Sequence, residues 1–234
     1  MNARPPSPWT EADALMTAVF ALLCAAGGIA AGLAGRSPST PQPIMWAHVL
    51  AMLVTPAFAA ALASHRLLDG RVAAPAPRPP ADPLRDAIRG FCIGLALLPA
   101  TLALAWLTCA IIEALGGQPP QTQPIIESLM LPQTRRGAAI AAGLVSVLLT
   151  PAAEELLHRD VLLGALRVHR GDAAAVALSS LFFGLLHLHL PVTPALVFLG
   201  AVLAVVRIRT GSLLACIAAH ATFNAANLAL ALLA

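Results

Sequence analysis

The sequence contains no lysine and no tyrosine, and only 11% of its 234 residues are charged. Soluble domains carry about a quarter charged residues, so this scarcity excludes an ordinary soluble globular protein. All fourteen basic residues are arginines, and they are scattered between apolar segments. This distribution argues against nucleic-acid binding, which favours a basic stripe or patch. The four cysteines show no CxxC spacing, and we predict that they are packing residues.

Long apolar runs dominate the chain instead, with 59% hydrophobic residues and a mean hydropathy of +0.81. A helix needs about 20 mostly apolar residues to cross a bilayer, and several runs approach or exceed that length. We therefore predict an all-α polytopic membrane bundle of about seven transmembrane helices, with a polar site inside. The predicted spans are 12–35, 44–64, 87–115, 137–166, 173–190, 194–208 and 212–233.

Two regions differ in composition. The first, 1–86, combines N-terminal transmembrane helices with a proline-rich, charged stretch over 65–86, which is typical of a solvated linker. The second, 87–234, holds the remaining spans, and its polar motifs fall within 150–227. With a cytoplasmic N-terminus, eleven of the fourteen arginines lie on the inner side, so the positive-inside rule predicts this orientation.

Ionisable residues occur within three of the predicted spans: Glu154, Glu155 and Arg159, then His187, then His220. A charged side chain at the centre of a span costs about 2.5–3.5 kcal/mol even on mild insertion scales. These residues are therefore expected to face one another or a water-filled cavity, at similar depths in the bundle. Intramembrane ionisable residues of this kind indicate a functional site.

Helical spacing suggests which of these side chains meet. Glu155 and Arg159 are i,i+4 neighbours, which favours an ion pair within the helix. Glu154 lies about 100° further round the same helix and is free to face another group. His220 and Asn224 are also four residues apart, so the two side chains share one face.

Three motifs, in this order, resemble the CPBP intramembrane proteases: EE-xxx-R at 154–159, F-xxx-H at 183–187 and H-xxx-N at 220–224. This glutamic-type "Abi" family contains the CAAX prenyl endopeptidases and bacterial relatives tied to bacteriocins and peptide processing. The flanks "SSLFFGLLH" and "RTGSL" are similar as well, and the resemblance covers about 135–230. Over 87–234, the resemblance implies a protease core.

The resemblance implies a role for each matching residue. Glu154 would be the general base that activates a water, helped by His187. His220 and Asn224 would donate hydrogen bonds to the oxyanion of the tetrahedral intermediate. The reaction would be peptide-bond hydrolysis without a covalent enzyme intermediate.

Glu155 and Arg159 would support this machinery by holding the helix and tuning Glu154. A catalytic zinc is an open alternative, with His187, His220 and Glu154 as three ligands and water as the fourth. No HExxH motif is present, and the carboxylates and the oxyanion pair could work without a metal. We favour the metal-independent reaction and assign no cofactor.

The sequence departs from the usual family pattern at two positions. His158 stands where an aromatic residue is common, and Asp160 where glycine is common. Since His158 is four residues after Glu154, it could reach the same cavity. We instead predict that it lies at a helix end facing the cytoplasm.

The predicted function is therefore an intramembrane endopeptidase that cleaves a membrane-associated protein or peptide. Its partners would be that substrate and the lipid bilayer, without nucleic acid. The Ala- and Arg-rich, lysine-free composition suggests a high-GC bacterium, and hence the inner membrane. Alternatives are a protease for C-terminal sorting tails, or a non-enzymatic immunity or scaffold protein that retains the fold. A transporter is a further alternative, but its inverted repeats or broken helices are not evident.

Overall fold

The computed structural model describes residues 9–10, 12–13, 15–19, 82–117, 136–187 and 189–233, and every regular element in these ranges is helical. The predicted span 44–64 lies outside the described residues, as do most of the span 12–35 and most of the linker 65–86. The longer described helices are α1 (Pro83–Ala114), α2 (136–170), α3 (Asp172–Leu186), α4 (Thr193–Thr210) and α5 (Leu213–Leu233). A 3₁₀ turn, Leu190–Val192, precedes α4.

Four helical stretches among the described residues are long and apolar enough to cross a membrane: Pro83–Ala114, Ile140–Arg170, Leu190–Thr210 and Leu213–Leu233. They correspond to four of the predicted spans, and the all-α membrane bundle is confirmed. The predicted span 173–190 is an apolar helix of 15 residues, which at 1.5 Å per residue is about 22 Å long. The total of seven spans is not established.

Helix boundaries follow from capping residues. The carboxylate of Asp82 accepts a hydrogen bond from the Arg85 backbone N–H at 3.0 Å, and Pro83 follows as the first helical residue. This cap starts α1 four residues before the predicted span 87–115. Gly171, with φ of 84°, is the only residue between α2 and α3. Such a short connection makes the two helices antiparallel neighbours.

Helix α2 is continuous but irregular. Two π-helical turns, Val145–Leu149 and Leu156–Leu162, flank the short α-helical segment Thr150–Glu155. In the first turn, the backbone N–H of Thr150 bonds to the carbonyl of Val145, five residues back. In the second, the N–H of Leu163 bonds to the carbonyl of His158. Single π turns within α-helices are frequent at functional sites, and here they bracket the predicted pair of glutamates.

Helices α1 and α5 pack at very short range because glycines of α1 face small residues of α5. A Cβ added at Gly90 would collide with the backbone at Ala215, and one at Gly94 with the backbone at Ala219. Gly90 and Gly94 form a G-xxx-G pattern, which lets membrane helices approach backbone to backbone. This contact fixes the height of α5 against α1.

The distribution of polar and apolar side chains between the interior and the exterior of the bundle is the reverse of that in a soluble protein. Several charged or ionisable side chains are buried, while large apolar side chains are exposed along the helices. The exposed set includes Leu84, Ile88, Phe91, Leu102, Trp106, Ile111, Leu148, Leu181, Leu185, Leu232 and Leu233. An apolar exterior of this kind suits lipid, and it supports a multi-pass membrane protein.

Candidate active site

His220 of α5 contacts both glutamates of α2. Its Nδ1 lies 3.0 Å from Oε1 of Glu155, and its Nε2 lies 3.7 Å from Oε2 of Glu154. All three side chains are at most 4% exposed. Two adjacent acids and an imidazole from another helix thus form one buried cluster.

Glu155 is held from a second side by Arg159. The predicted i,i+4 ion pair is present, with 3.0 Å between Arg159 Nε and Glu155 Oε2, and both side chains are fully buried. The guanidinium carbon of Arg159 also lies 5.2 Å from the ring centroid of Phe183, a cation–π distance. The carboxylate of Glu155 is therefore engaged by a cation and an imidazole, whereas that of Glu154 has only the longer contact with His220 among the residues that the structure describes.

The ring of Phe183 contacts three imidazoles. Its ring centroid lies 5.0 Å from His158, 5.0 Å from His187 and 5.6 Å from His220. Phe183 itself is fully buried. One phenyl ring thus brings together side chains from α2, from the end of α3 and from α5.

His187 is positioned through the backbone of α3. Its Nδ1 lies 2.9 Å from the carbonyl oxygen of Phe183. Because a carbonyl only accepts, Nδ1 carries the hydrogen, and Nε2 of the neutral ring is left with a free lone pair. His187 is half-buried, unlike His220, so it is the more accessible of these two imidazoles.

Asn224 contacts α2 at a carbonyl that has lost its usual donor. Its amide Nδ2 donates to the backbone oxygen of Ser146 at 3.0 Å. In a regular α-helix that oxygen would accept from Thr150, but the Thr150 N–H bonds to Val145 instead. The next residue, Pro151, has no N–H to offer. Asn224 therefore ties α5 to the first π turn, one helical turn beyond His220.

The predicted exposure of His158 is wrong. The side chain is only 2% exposed, and its Nδ1 lies 2.8 Å from the backbone carbonyl of Glu154. Four-residue spacing puts it on the same side of α2 as Glu154, where it packs against Phe183. The sequence did contain an indication of this burial, because His158 stands four residues after Glu154. The predicted helix end at the cytoplasmic face was given more weight.

Asp160, the second departure, forms an ion pair that sequence reasoning missed. Its Oδ1 lies 2.8 Å from Nη2 of Arg207, which is 9% exposed, and Arg207 also donates to the carbonyl of Gly211. Arg207 stands just before the "RTGSL" segment. An acid and an arginine at two predicted helix ends on the same membrane side were the signal for this link between α2 and α4.

The proposed zinc ligands do not fit a metal site as they are placed. Across 82–117, 136–187 and 189–233, no three His, Cys, Asp or Glu side chains converge in a way that could hold a metal ion. His187 and His220 both pack against the ring of Phe183, but of these two imidazoles only that of His220 contacts Glu154 among the described residues.

A helical bundle with an apolar exterior and buried acids, imidazoles and an arginine defines a polytopic membrane protein with an internal polar site. Residues 136–226 match the family model described as type II CAAX prenyl endopeptidase, Rce1-like. The match confirms the family resemblance predicted from the motifs, and it contains every predicted site residue. It supports a CAAX-type membrane peptidase in general. The comparisons with curated proteins and with solved structures found no match.

Proposed function

We propose that this protein is an intramembrane endopeptidase that hydrolyses a peptide bond of a membrane-associated protein or peptide. The observation that carries the proposal is the different environment of two adjacent acids. Glu155 is paired with Arg159 and His220, whereas the carboxylate of Glu154 has one contact, at 3.7 Å, within the described ranges. Unequal environments of neighbouring carboxylates are how an active site assigns them different roles.

In the proposed reaction, Glu154 removes a proton from a water molecule, which attacks the scissile carbonyl. His187 assists by accepting a hydrogen bond from that water through its free Nε2, while the Phe183 carbonyl holds its Nδ1–H. Glu154 then returns the proton to the leaving amine, so that no covalent intermediate forms. Glu155 and Arg159 support this step by fixing the orientation of α2 and of His220.

His220 and Asn224 are the proposed donors to the oxyanion. With Nδ1–H donated to Glu155, His220 can donate through Nε2 only in its doubly protonated form. Asn224 gives one amide hydrogen to Ser146 and retains the other for the intermediate. One such donor is typically worth about 2.7–4 kcal/mol of transition-state stabilisation.

We place the enzyme in a bacterial inner membrane with a cytoplasmic N-terminus, on the basis of the arginine distribution and the composition. Its substrate would be membrane-embedded or membrane-anchored, because the acids lie within a predicted span. A C-terminal sorting tail that carries its own span is a substrate of this kind.

The test is a strain that lacks the protein and is complemented with wild type, Glu154→Gln or Glu113→Gln. Glu113 is exposed near the end of α1, so its substitution is a matched chemical control outside the site. Membrane proteomics should find uncleaved precursors in the empty strain and with Glu154→Gln, at equal protein levels, and none with Glu113→Gln. A scaffold or immunity protein would tolerate Glu154→Gln, and that result would contradict the proposal.

A further inference from the structure

His158 has one nitrogen engaged and one without a partner. Its Nδ1 donates to the backbone carbonyl of Glu154 at 2.8 Å, which leaves Nε2 of the neutral ring as a pure acceptor. Nε2 is buried, and no hydrogen-bond donor reaches it among the residues that the structure describes. Buried acceptors in folded proteins are nearly always satisfied, either by the protein or by ordered water.

Arg159, the next residue, has hydrogen-bond donors that lack acceptors among the described residues. Arg159 approaches Glu155 through Nε, but its Nη1 and Nη2 are buried and have no acceptor within the described part of the chain. His158 and Arg159 both lie against Phe183. The imidazole centroid of His158 is 5.0 Å from the phenyl centroid, and the guanidinium carbon of Arg159 is 5.2 Å from it. An acceptor and two donors without partners in the described part of the chain are therefore buried around the same phenyl ring.

We propose that His158 is a positioning residue that holds a bound water together with Arg159. The water accepts a hydrogen bond from a guanidinium Nη–H and donates one to Nε2 of His158, so that one molecule satisfies Nε2 and one of the two Nη groups. Buried waters typically make about three hydrogen bonds to polar groups of this kind. His158 also donates through Nδ1 to the backbone carbonyl of Glu154, so the residue that holds the water also restrains the segment of α2 that carries the acid.

The role of this water in the reaction rests on the proposed function. Peptide hydrolysis consumes one water per bond, and the surroundings of this site are apolar. A water held by His158 and Arg159 keeps the reactant within the bundle, and His158 restrains the helix segment of Glu154 through its hydrogen bond to that residue's carbonyl.

Three substitutions separate the functions of the two ring nitrogens. His158→Phe keeps the ring shape alone, His158→Asn keeps a donor near the position of Nδ1, and His158→Gln keeps an acceptor near the position of Nε2.

Each purified variant would be assayed in phospholipid bicelles on the precursor that accumulates with Glu154→Gln. We expect kcat to fall about five- to tenfold for Phe and Asn, the effect of one lost hydrogen bond. For Gln, kcat should stay within about twofold of wild type, and KM should be unchanged throughout.

Two kinetic results would overturn the proposal. Wild-type kcat in His158→Phe would show that the residue only packs. If kcat were retained in His158→Asn and lowered in His158→Gln, only the hydrogen bond from Nδ1 to the Glu154 carbonyl would matter for the reaction.

A direct readout does not depend on activity. An experimental structure that resolves ordered waters should show one within hydrogen-bonding distance of both His158 Nε2 and an Arg159 Nη, and His158→Phe should lose it. A dry region there would overturn the proposal. If Glu154→Gln leaves cleavage intact, the proposed function fails, while the presence or absence of the water still decides this inference.

Discussion

At the scale of single residues, the two adjacent glutamates have different partners. Glu155 compensates a fully buried guanidinium and accepts a hydrogen bond from His220, whereas Glu154 lies 3.7 Å from His220, beyond hydrogen-bonding distance. Breaking a buried ion pair by removing one partner typically costs about 3–5 kcal/mol, because an uncompensated charge remains in the interior. The stability of the bundle therefore depends on Glu155 far more than on Glu154.

We expect Glu155→Gln to lower the free energy of unfolding by about 3–5 kcal/mol, and Glu154→Gln to change it by less than about 1 kcal/mol. Reversible unfolding in mixed micelles, followed by circular dichroism, would measure both. Glu113→Gln serves as the matched exposed control. Equal stability of Glu154→Gln and Glu155→Gln would contradict the assignment.

The sequence alone predicted the ion pair of Glu155 with Arg159, because i,i+4 spacing in a helix determines that contact locally. It could not predict which acid His220 meets, since that depends on the rotation and height of α5 against α2. Likewise, four-residue spacing allowed His158 to reach the cavity, but only the packing of α3 buries it against Phe183. The roles of Glu154, His187, His220 and Asn224 in catalysis stay predictions.

At the scale of secondary structure, Pro151 and Asn224 act on one carbonyl. The first π turn and the missing N–H of Pro151 leave Ser146 without a backbone donor, and Asn224 supplies one. Hydropathy predicted this helix but not its π turns, because the apolar content of a window does not depend on whether hydrogen bonds span four residues or five. Proline was the only local indication of an irregularity.

We therefore expect the effects of Pro151→Ala and Asn224→Ala to be coupled. With alanine at 151 a backbone N–H is restored, so the loss of Asn224 should cost less by about 0.5–1.5 kcal/mol than it does in the wild type. A double-mutant cycle on unfolding free energies measures this difference. Additive effects would show that Asn224 does not act through the Ser146 carbonyl.

At the scale of the whole molecule, the site depends on contacts far from its chemistry. The close approach of α1 to α5 at Gly90 and Gly94 sets the height of α5, and Gly94 meets the backbone at Ala219, immediately before His220. The sequence predicted the spans that build this bundle from apolar length. It could not predict which spans touch, since apolar surfaces carry little information about their partners in lipid.

We expect Gly94→Leu to destabilise the bundle by about 1–3 kcal/mol or more through overpacking against α5 and to abolish precursor cleavage by displacing His220. Gly137→Leu is the control, because no atom of the described residues lies within 4 Å of a Cβ built at Gly137. Unfolding in micelles and precursor processing in the complemented strain are the two measurements. Wild-type behaviour of Gly94→Leu would contradict the close α1–α5 contact.

The position of Phe183 has a practical consequence for spectroscopy. Its ring contacts imidazoles contributed by α2, by the end of α3 and by α5, so a change in any one of them alters its surroundings. A single fluorine on that ring would therefore give one resonance sensitive to protonation, inhibitor entry or helix displacement within the cluster. The bundle thus contains a natural place for a label, at a side chain that takes no direct part in the proposed chemistry.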